Sequence, residues 1–185
     1  SSKWVAKKEN TNFLRYKVIS EIMNHFGLEL PEHIKKSLTR VLTENTLAHE
    51  KYSKGREIKN RISSNKDIKD ACDLFKEAYD LDNNFVQALS FYGGCLRILG
   101  ELEDAEEVLL KSVKLAEEFD DQEALSDANN QLGIFYSWAN KQEKSRVCYQ
   151  KGLDIQISLN NKLAQSKFLN NLSAFYMLVD TKKAL

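Results

Sequence analysis

His25, His33 and His49 are the three histidines of this 185-residue chain. No two stand at the i, i+4 spacing that sets both imidazoles on one face of a helix, as a metal site built on one helix needs. Cys72, Cys95 and Cys148 form no C-x-x-C pair, and none has a histidine at ligand spacing. Each falls beside apolar residues in a helical pattern, as small buried thiols of a reducing compartment do. Glu106-Glu107 and Glu117-Glu118 are sequence neighbours, so on a helix they diverge and cannot face one substrate as acid and base. Gly93-Gly94 lies inside a helical stretch, and nothing resembles a phosphate-cradling loop. Asn171-Leu172-Ser173 matches a glycosylation acceptor but falls in mid-helix. Catalytic residues, cofactor and metal are therefore all expected to be none.

The remaining chemistry is hydrogen bonding. Gln87, Ser90, Gly94 and Arg97 recur at one helical face, and so do Asp127, Asn130, Ile134 and Ser137, then Lys167, Asn170, Ala174 and Met177. The three sets are 40 residues apart. Asn130 and Asn170 occupy equivalent places, and an amide offers both a donor and an acceptor. Two in a row could clamp the backbone of an extended peptide, and they are equally what a polar helix surface contains.

The elements that position these residues read as helices throughout. One proline and seven glycines leave little turn chemistry, and 42% apolar residues supply ample core. Phe13, Val18, Ile19, Ile22, Met23 and Phe26 share a stripe from about Asn12 to Phe26, with Gly27 as its stop. Pro31 suits the first turn of a short helix carrying Ile34, Leu38 and Leu42. Further helices are expected from Asn45 or Thr46 to about Ile62, Asp67 to Leu81, Phe85 to Ile98, Leu102 to about Phe119, Glu123 to Trp138, Gln142 to Ser158 and Lys162 to Leu178.

Small residues recur on these helices. Gly93 precedes Leu96, Ala105 and Leu109; Leu132-Gly133 precedes Tyr136, Ser145 and Tyr149; Gly55 precedes Ala71, Phe75 and Ala78; Leu172-Ser173 precedes Tyr176. Gly93, Gly133 and Ser173 are 40 apart and Ala71 and Ala105 are 34 apart, the period of stacked helix pairs. The glycines belong where two helices of a pair approach most closely, and the large residues fill the gaps between pairs. The fold expected is all-α, a superhelix of antiparallel helix pairs of about three and a half repeats over residues 45–185, with a helical lead-in over residues 1–44. In such an array the first helix of each pair lines the concave side. Gln87, Ser90, Arg97, Asp127, Asn130, Ser137, Lys167, Asn170 and Met177 are then the candidate peptide groove.

At these residues the chain resembles the tetratricopeptide-repeat family. Leu132-Gly133, Tyr136 and Tyr149 match its pattern, as do Tyr92-Gly93 with Ala105, and Ala71, Phe75 and Ala78 with Leu81-Asp82-Asn83. Asn83 stands where proline is usual, and Ser145 and Ser173 replace alanine and glycine. The lysine and asparagine set with which some family members grip a C-terminal carboxylate is absent. The resemblance implies a protein-interaction scaffold rather than an enzyme. The run Phe26-Gly27-Leu28-Glu29-Leu30, then Leu38, Glu44-Asn45 and Tyr52-Ser53-Lys54-Gly55-Arg56, is similar to the helical region of bacterial class III adenylate/guanylate cyclases. It implies a regulatory segment of a larger bacterial signalling protein whose catalytic domain lies N-terminal to the repeats. The other expectation is a peptide-sensing domain of a transcriptional or quorum-type regulator.

Residues 1–66 hold 14 Lys/Arg against 7 Asp/Glu, and residues 67–185 hold 13 against 20. The basic residues are mixed with acids along helical faces, so nucleic acid is not an expected partner. No run of 18 apolar residues exists, so no membrane span is expected, and the chain reads as cytoplasmic. It begins Ser1-Ser2-Lys3 and stops at Leu185 in mid-repeat, and so reads as an excised segment. The last helix would then expose Leu169, Leu172, Phe175, Tyr176 and Leu178, a face for self-association with a second copy.

Overall fold

The computed structural model describes residues 11–31, 35 and 42–183, with side chains from residue 17 to residue 177 apart from residues 32–34 and 36–41. The chain divides into two compact units, Ser1–Leu42 and Thr43–Leu185. Among the described residues every regular element is a helix.

In the first unit, α1 spans Thr11–His25. Gly27 ends it in the left-handed region at φ 65°, with the Leu28 N–H donating to the Met23 carbonyl at 2.9 Å and the Gly27 N–H to that of Asn24. This is the glycine stop that the sequence announces. Val18, Ile22 and Phe26 are 55%, 52% and 71% exposed along its apolar stripe. The short helix expected from Pro31 to Leu42 lies almost wholly outside the described residues.

The second unit is an array of seven helices: α2 Thr46–Asn60, α3 Asn65–Leu81, α4 Val86–Leu99, α5 Leu102–Glu118, α6 Gln122–Trp138, α7 Gln142–Ser158 and α8 Lys162–Lys183. Each lies against the next, and α4 also lies against α6. Three antiparallel pairs, α2/α3, α4/α5 and α6/α7, are thus followed by a further helix.

Local chemistry sets the ends. The Asn45 side chain accepts from the Leu47 and Ala48 N–H groups and donates to the Leu81 carbonyl at 2.9 Å, tying the start of α2 to the end of α3. Ser64 and Asp67 form a reciprocal capping box, which places Asp67 inside the first turn; α3 therefore starts two residues before the expected Asp67. From α4 onwards the turns repeat. Gly100, Asp120, Asn140 and Asn160 all have positive φ, and the N–H of each following residue reaches back to the carbonyl of Leu96, Ala116, Tyr136 or Gln156. These turns stand 20 residues apart, so two helices with two turns account for the 40-residue spacing of Gly93, Gly133 and Ser173. Only one of the four is glycine; asparagine and aspartate tolerate the conformation well enough to serve at the others.

The glycines sit at close approaches. A Cβ on Gly55 would lie 2.9 Å from the Phe75 ring, one on Gly93 2.7 Å from Leu109, and one on Gly133 2.7 Å from the Tyr149 ring. Each is the pairing of first and second helix that the repeat pattern implies. Gly152 is a fourth such site, unforeseen in the sequence: a Cβ there would lie 2.2 Å from Phe168 of α8. Tyr52, Phe75 and Phe85 join α2, α3 and the start of α4, with the Phe75 and Phe85 ring centroids 5.8 Å and 4.8 Å from that of Tyr52. Tyr149, Leu153, Phe168 and Leu172 join α7 to α8. Each pair thus completes its core with its neighbour, as stacked repeats must.

The last helix differs from expectation. α8 continues past Leu178 to Lys183. Leu172 and Phe175 are each only 7% exposed, so they are already covered within the array, whereas Leu169 and Tyr176 are about half exposed. The Leu178 side chain is outside the described set.

Candidate functional site

The inner helices α2, α4, α6 and α8 contribute one face each to a cavity of about 430 Å³. Gln87, Ser90, Arg97, Asp127, Asn130 and Lys167 line it, all six from the 40-residue polar pattern, together with Gly94 and Ile134 of the same stripes. Ile62, Ile98 and Phe91 supply apolar wall, and Lys59 adds a cation from α2.

Its polar groups are incompletely paired. Gln87 and Ser90 are 6% and 2% exposed, and neither the Gln87 Nε2 nor the Ser90 Oγ has a hydrogen-bond partner. The Arg97 Nε is likewise buried without a partner. Buried polar groups are normally satisfied, so three unpaired groups on one helix stand out within the array. The Arg97 guanidinium lies 5.3 Å from the Trp138 ring centroid, and the Lys59 ammonium 4.8 Å from that of Phe91. Burial pushes the pKa of Lys59 down, Cys95 opposes it, and the positive charges of Lys167, Arg56 and Arg97 each add a smaller downward push. Arg97 is lowered by burial. The Lys167 Nζ stands 3.5 Å from Asp127 Oδ1, forty positions away in sequence and one repeat away in space.

The asparagines behave differently from a two-rung ladder. Asn130 is 2% exposed, and its Oδ1 accepts from the Asn171 Nδ2 at 2.7 Å. Asn170 is exposed and stands outside the cavity lining. Ser137 is half-buried, Met177 is 63% exposed, and neither lines the cavity. Gly94 is buried, with the Gln131 amide 3.2 Å from where a Cβ would sit, so the groove wall there is not open.

No family model matches the sequence, and no curated protein matches it. Solved structures do match. BtubC (BKLC) from P. vanneervenii superposes with a TM-score of 0.60 at 14% identity, covering 91% of this chain and 73% of that one. The first TPR of Spaghetti (RPAP3), solved with the HSP90 peptide SRMEEVD, gives 0.53 at 16% identity over 74% of this chain and 99% of that one. The Sgt2 TPR domain from Aspergillus fumigatus gives 0.50 at 19% identity over 72% and 84%. The array has the tetratricopeptide-repeat fold. At these identities the likeness establishes the architecture of the TPR array, and what fills its concave side rests on this chain's own residues.

Within that TPR frame, the missed lining residues have a sequence signal. Lys59 stands four residues after Gly55 as Arg97 stands four after Gly93, so the stripe spacing applied to the first pair would have found it. Gln131 and Asn171 each stand two before the small residue of their helix and reach towards the preceding inner helix, one to Gly94 and the other to Asn130. Among the described residues no cluster of three metal-ligating side chains occurs, and no helix is long and apolar enough to cross a membrane.

Proposed function

We propose that this chain is a non-catalytic protein-interaction segment that holds an extended peptide in the concave groove of its TPR array. The observation that carries the reading is the unpartnered, buried Gln87 Nε2 and Ser90 Oγ in a cavity shared by four inner helices. A peptide backbone supplies the missing partners, and the walls of Ile62, Ile98 and Ile134 take its side chains. The neighbouring RPAP3 domain holds a peptide, which fits this reading of the fold. Asp127, Asn130 and Lys167 complete the inner face, and Ser137, Asn170 and Met177 extend it towards and along α8.

The sequence likeness to cyclase-associated helical regions supports a parent of the bacterial signalling type, an adenylate/guanylate cyclase or related regulator in the cytoplasm. The discrete cavity, sized for a few side chains, favours as second reading a peptide-sensing domain of a transcriptional regulator. Exposed Leu163, Leu169 and Tyr176 on α8 are the face through which a second copy would pair.

Selection of a displayed peptide library on the immobilised chain tests the groove. Filling the cavity with Ile134→Trp should weaken the selected peptides at least about tenfold, while Lys151→Trp on the exposed side of α7 leaves them unchanged. Equal affinity for both variants would remove the groove reading.

A further inference from the structure

Two of the three thiols meet at the joint between the first and second helix pairs. Phe75 of α3 stacks on Phe91 of α4, with ring centroids 5.2 Å apart and planes at 21°. Cys72 lies three residues before Phe75 and Cys95 four after Phe91. The helices α3 and α4 are consecutive and antiparallel, so both steps run the same way along the joint, by about 4.5 and 6 Å at 1.5 Å per residue. A hydrogen bond joins the two thiols there. Cys95 also forms part of the cavity wall, as do Lys59 and Arg97. The hydrogen bond from Cys72 draws the Cys95 pKa below the ordinary thiol value; burial opposes it, and the charges of Lys59 and Arg97 add to the lowering. Cys72 moves the other way, through the same hydrogen bond and then burial. One sulfur is thus prepared as a thiolate and the other as its proton donor. Cys148 is the contrast, with burial pushing its thiol up to about 11.

We propose that Cys72 and Cys95 are a redox pair: a small hydroperoxide entering the cavity oxidises Cys95, and Cys72 then closes a disulfide that ties the first helix pair to the second. The Cys95 sulfur attacks one oxygen of the hydroperoxide, the O–O bond breaks, and the departing oxygen leaves as water or alcohol with the proton the thiol has shed. Cys95 is then a sulfenic acid. The Cys72 sulfur attacks the Cys95 sulfur, the S–O bond breaks, and hydroxide leaves as water with the Cys72 proton. The two thiols lose two electrons and the hydroperoxide gains them. Thiols already in hydrogen-bond contact need only draw in to the disulfide length of about 2 Å. Cys95 is 1% exposed, so the cavity is the route and the oxidant must be small. The pair is independent of what else the concave face holds.

The test is treatment of the whole chain with one equivalent of hydrogen peroxide, quenching with iodoacetamide at intervals, and mass spectrometry of the tryptic peptides. Cleavage after Lys69, Lys76 and Arg97 puts Cys72 and Cys95 on separate peptides, so the disulfide reads as a linked pair two hydrogens lighter than their sum. That pair should form at least about tenfold faster than Cys148 is lost. In Cys72→Ser the stalled sulfenic acid should collect on Cys95 as a dimedone adduct, and in Cys95→Ser no adduct should collect on Cys72. Ile134→Trp, which fills the cavity, should slow formation of the pair severalfold. Recovery of Cys72 and Cys95 both alkylated overturns the proposal, and the parent chain alone suffices for that reading. Loss of all three thiols at one rate assigns the oxidation to unfolded chain and overturns it equally. An adduct on Cys72 in Cys95→Ser overturns the assigned roles, and an unchanged rate in Ile134→Trp overturns the cavity route.

Discussion

The Nδ2 of Asn171 donates to Oδ1 of Asn130 at 2.7 Å, linking α8 to α6 across 41 positions of sequence at the back of the concave face. The acceptor of Asn130 is therefore engaged within the array, and the residue holds two inner helices together. Asn171→Ala strands that buried oxygen, which typically costs about 1–3 kcal/mol. Asn170→Ala, at an exposed position, should change stability by less than about 0.5 kcal/mol. Urea unfolding of the two variants checks the difference, and similar midpoints would contradict the assignment.

The close approaches predict an ordering among glycine variants. Gly152→Ala, against Phe168, and Gly133→Ala, against Tyr149, each drive a methyl into a ring held by its neighbours and should destabilise by about 1–3 kcal/mol. Gly94→Ala meets only the Gln131 amide, the far end of a flexible side chain, and should be much milder because alanine also favours helix. Ser145→Ala removes the hydroxyl that donates to the Gly133 carbonyl at 2.8 Å, a loss of about 0.5–1.5 kcal/mol. Thermal melts of the four proteins would refute the scheme if Gly94→Ala proved the worst.

Much of this was legible in the sequence, for physical reasons that also mark where legibility stopped. Gly133 and Tyr149 could be paired because a helix pair of fixed length brings a glycine and a ring together at a constant offset. Gly152 could not, since its partner Phe168 belongs to the next pair and follows no motif. The groove residues from Gln87 to Lys167 followed from a 3, 4, 3 spacing, but periodicity alone cannot say which of two adjacent asparagines turns inward. Asn171 reaches Asn130 because its position faces the preceding helix, a tilt that only the assembled array reveals. Leu172 and Phe175 were expected at an open face and are buried; for Leu172 the cover is Tyr149 and Leu153, which α7 supplies across from α8.

The left-handed turns give a third prediction. Asn160 has φ 52°, where alanine is roughly 1–2 kcal/mol less favourable and glycine is at ease. Asn160→Ala should destabilise by about 1 kcal/mol and Asn160→Gly should remain within about 0.5 kcal/mol of the parent. Denaturant midpoints in the opposite order would count against a strained turn.

Acid sensitivity follows from Glu106. The Lys141 ammonium, 2.7 Å from its carboxylate, holds Glu106 below the usual range with help from the Tyr136 hydroxyl. A depressed folded-state pKa contributes stability above the unfolded carboxylate value, and that contribution is lost as pH falls through the folded value. The pair is partly exposed, so the contribution is about 0.2–1 kcal/mol. The melting-temperature gap between the parent and Glu106→Gln should be present at neutral pH and close below about pH 4. A gap independent of pH would exclude the ion pair as its source.

The central claim is that the concave face of the array is where a partner chain lies. A library-selected peptide carrying a photo-crosslinking benzophenone, followed by mass-spectrometric mapping of the adducts, reads this directly. The account predicts adducts within residues 87–97 of α4 and 127–134 of α6, lost when Ile134→Trp fills the cavity. Adducts confined to the outer helices α3, α5 and α7 would contradict it.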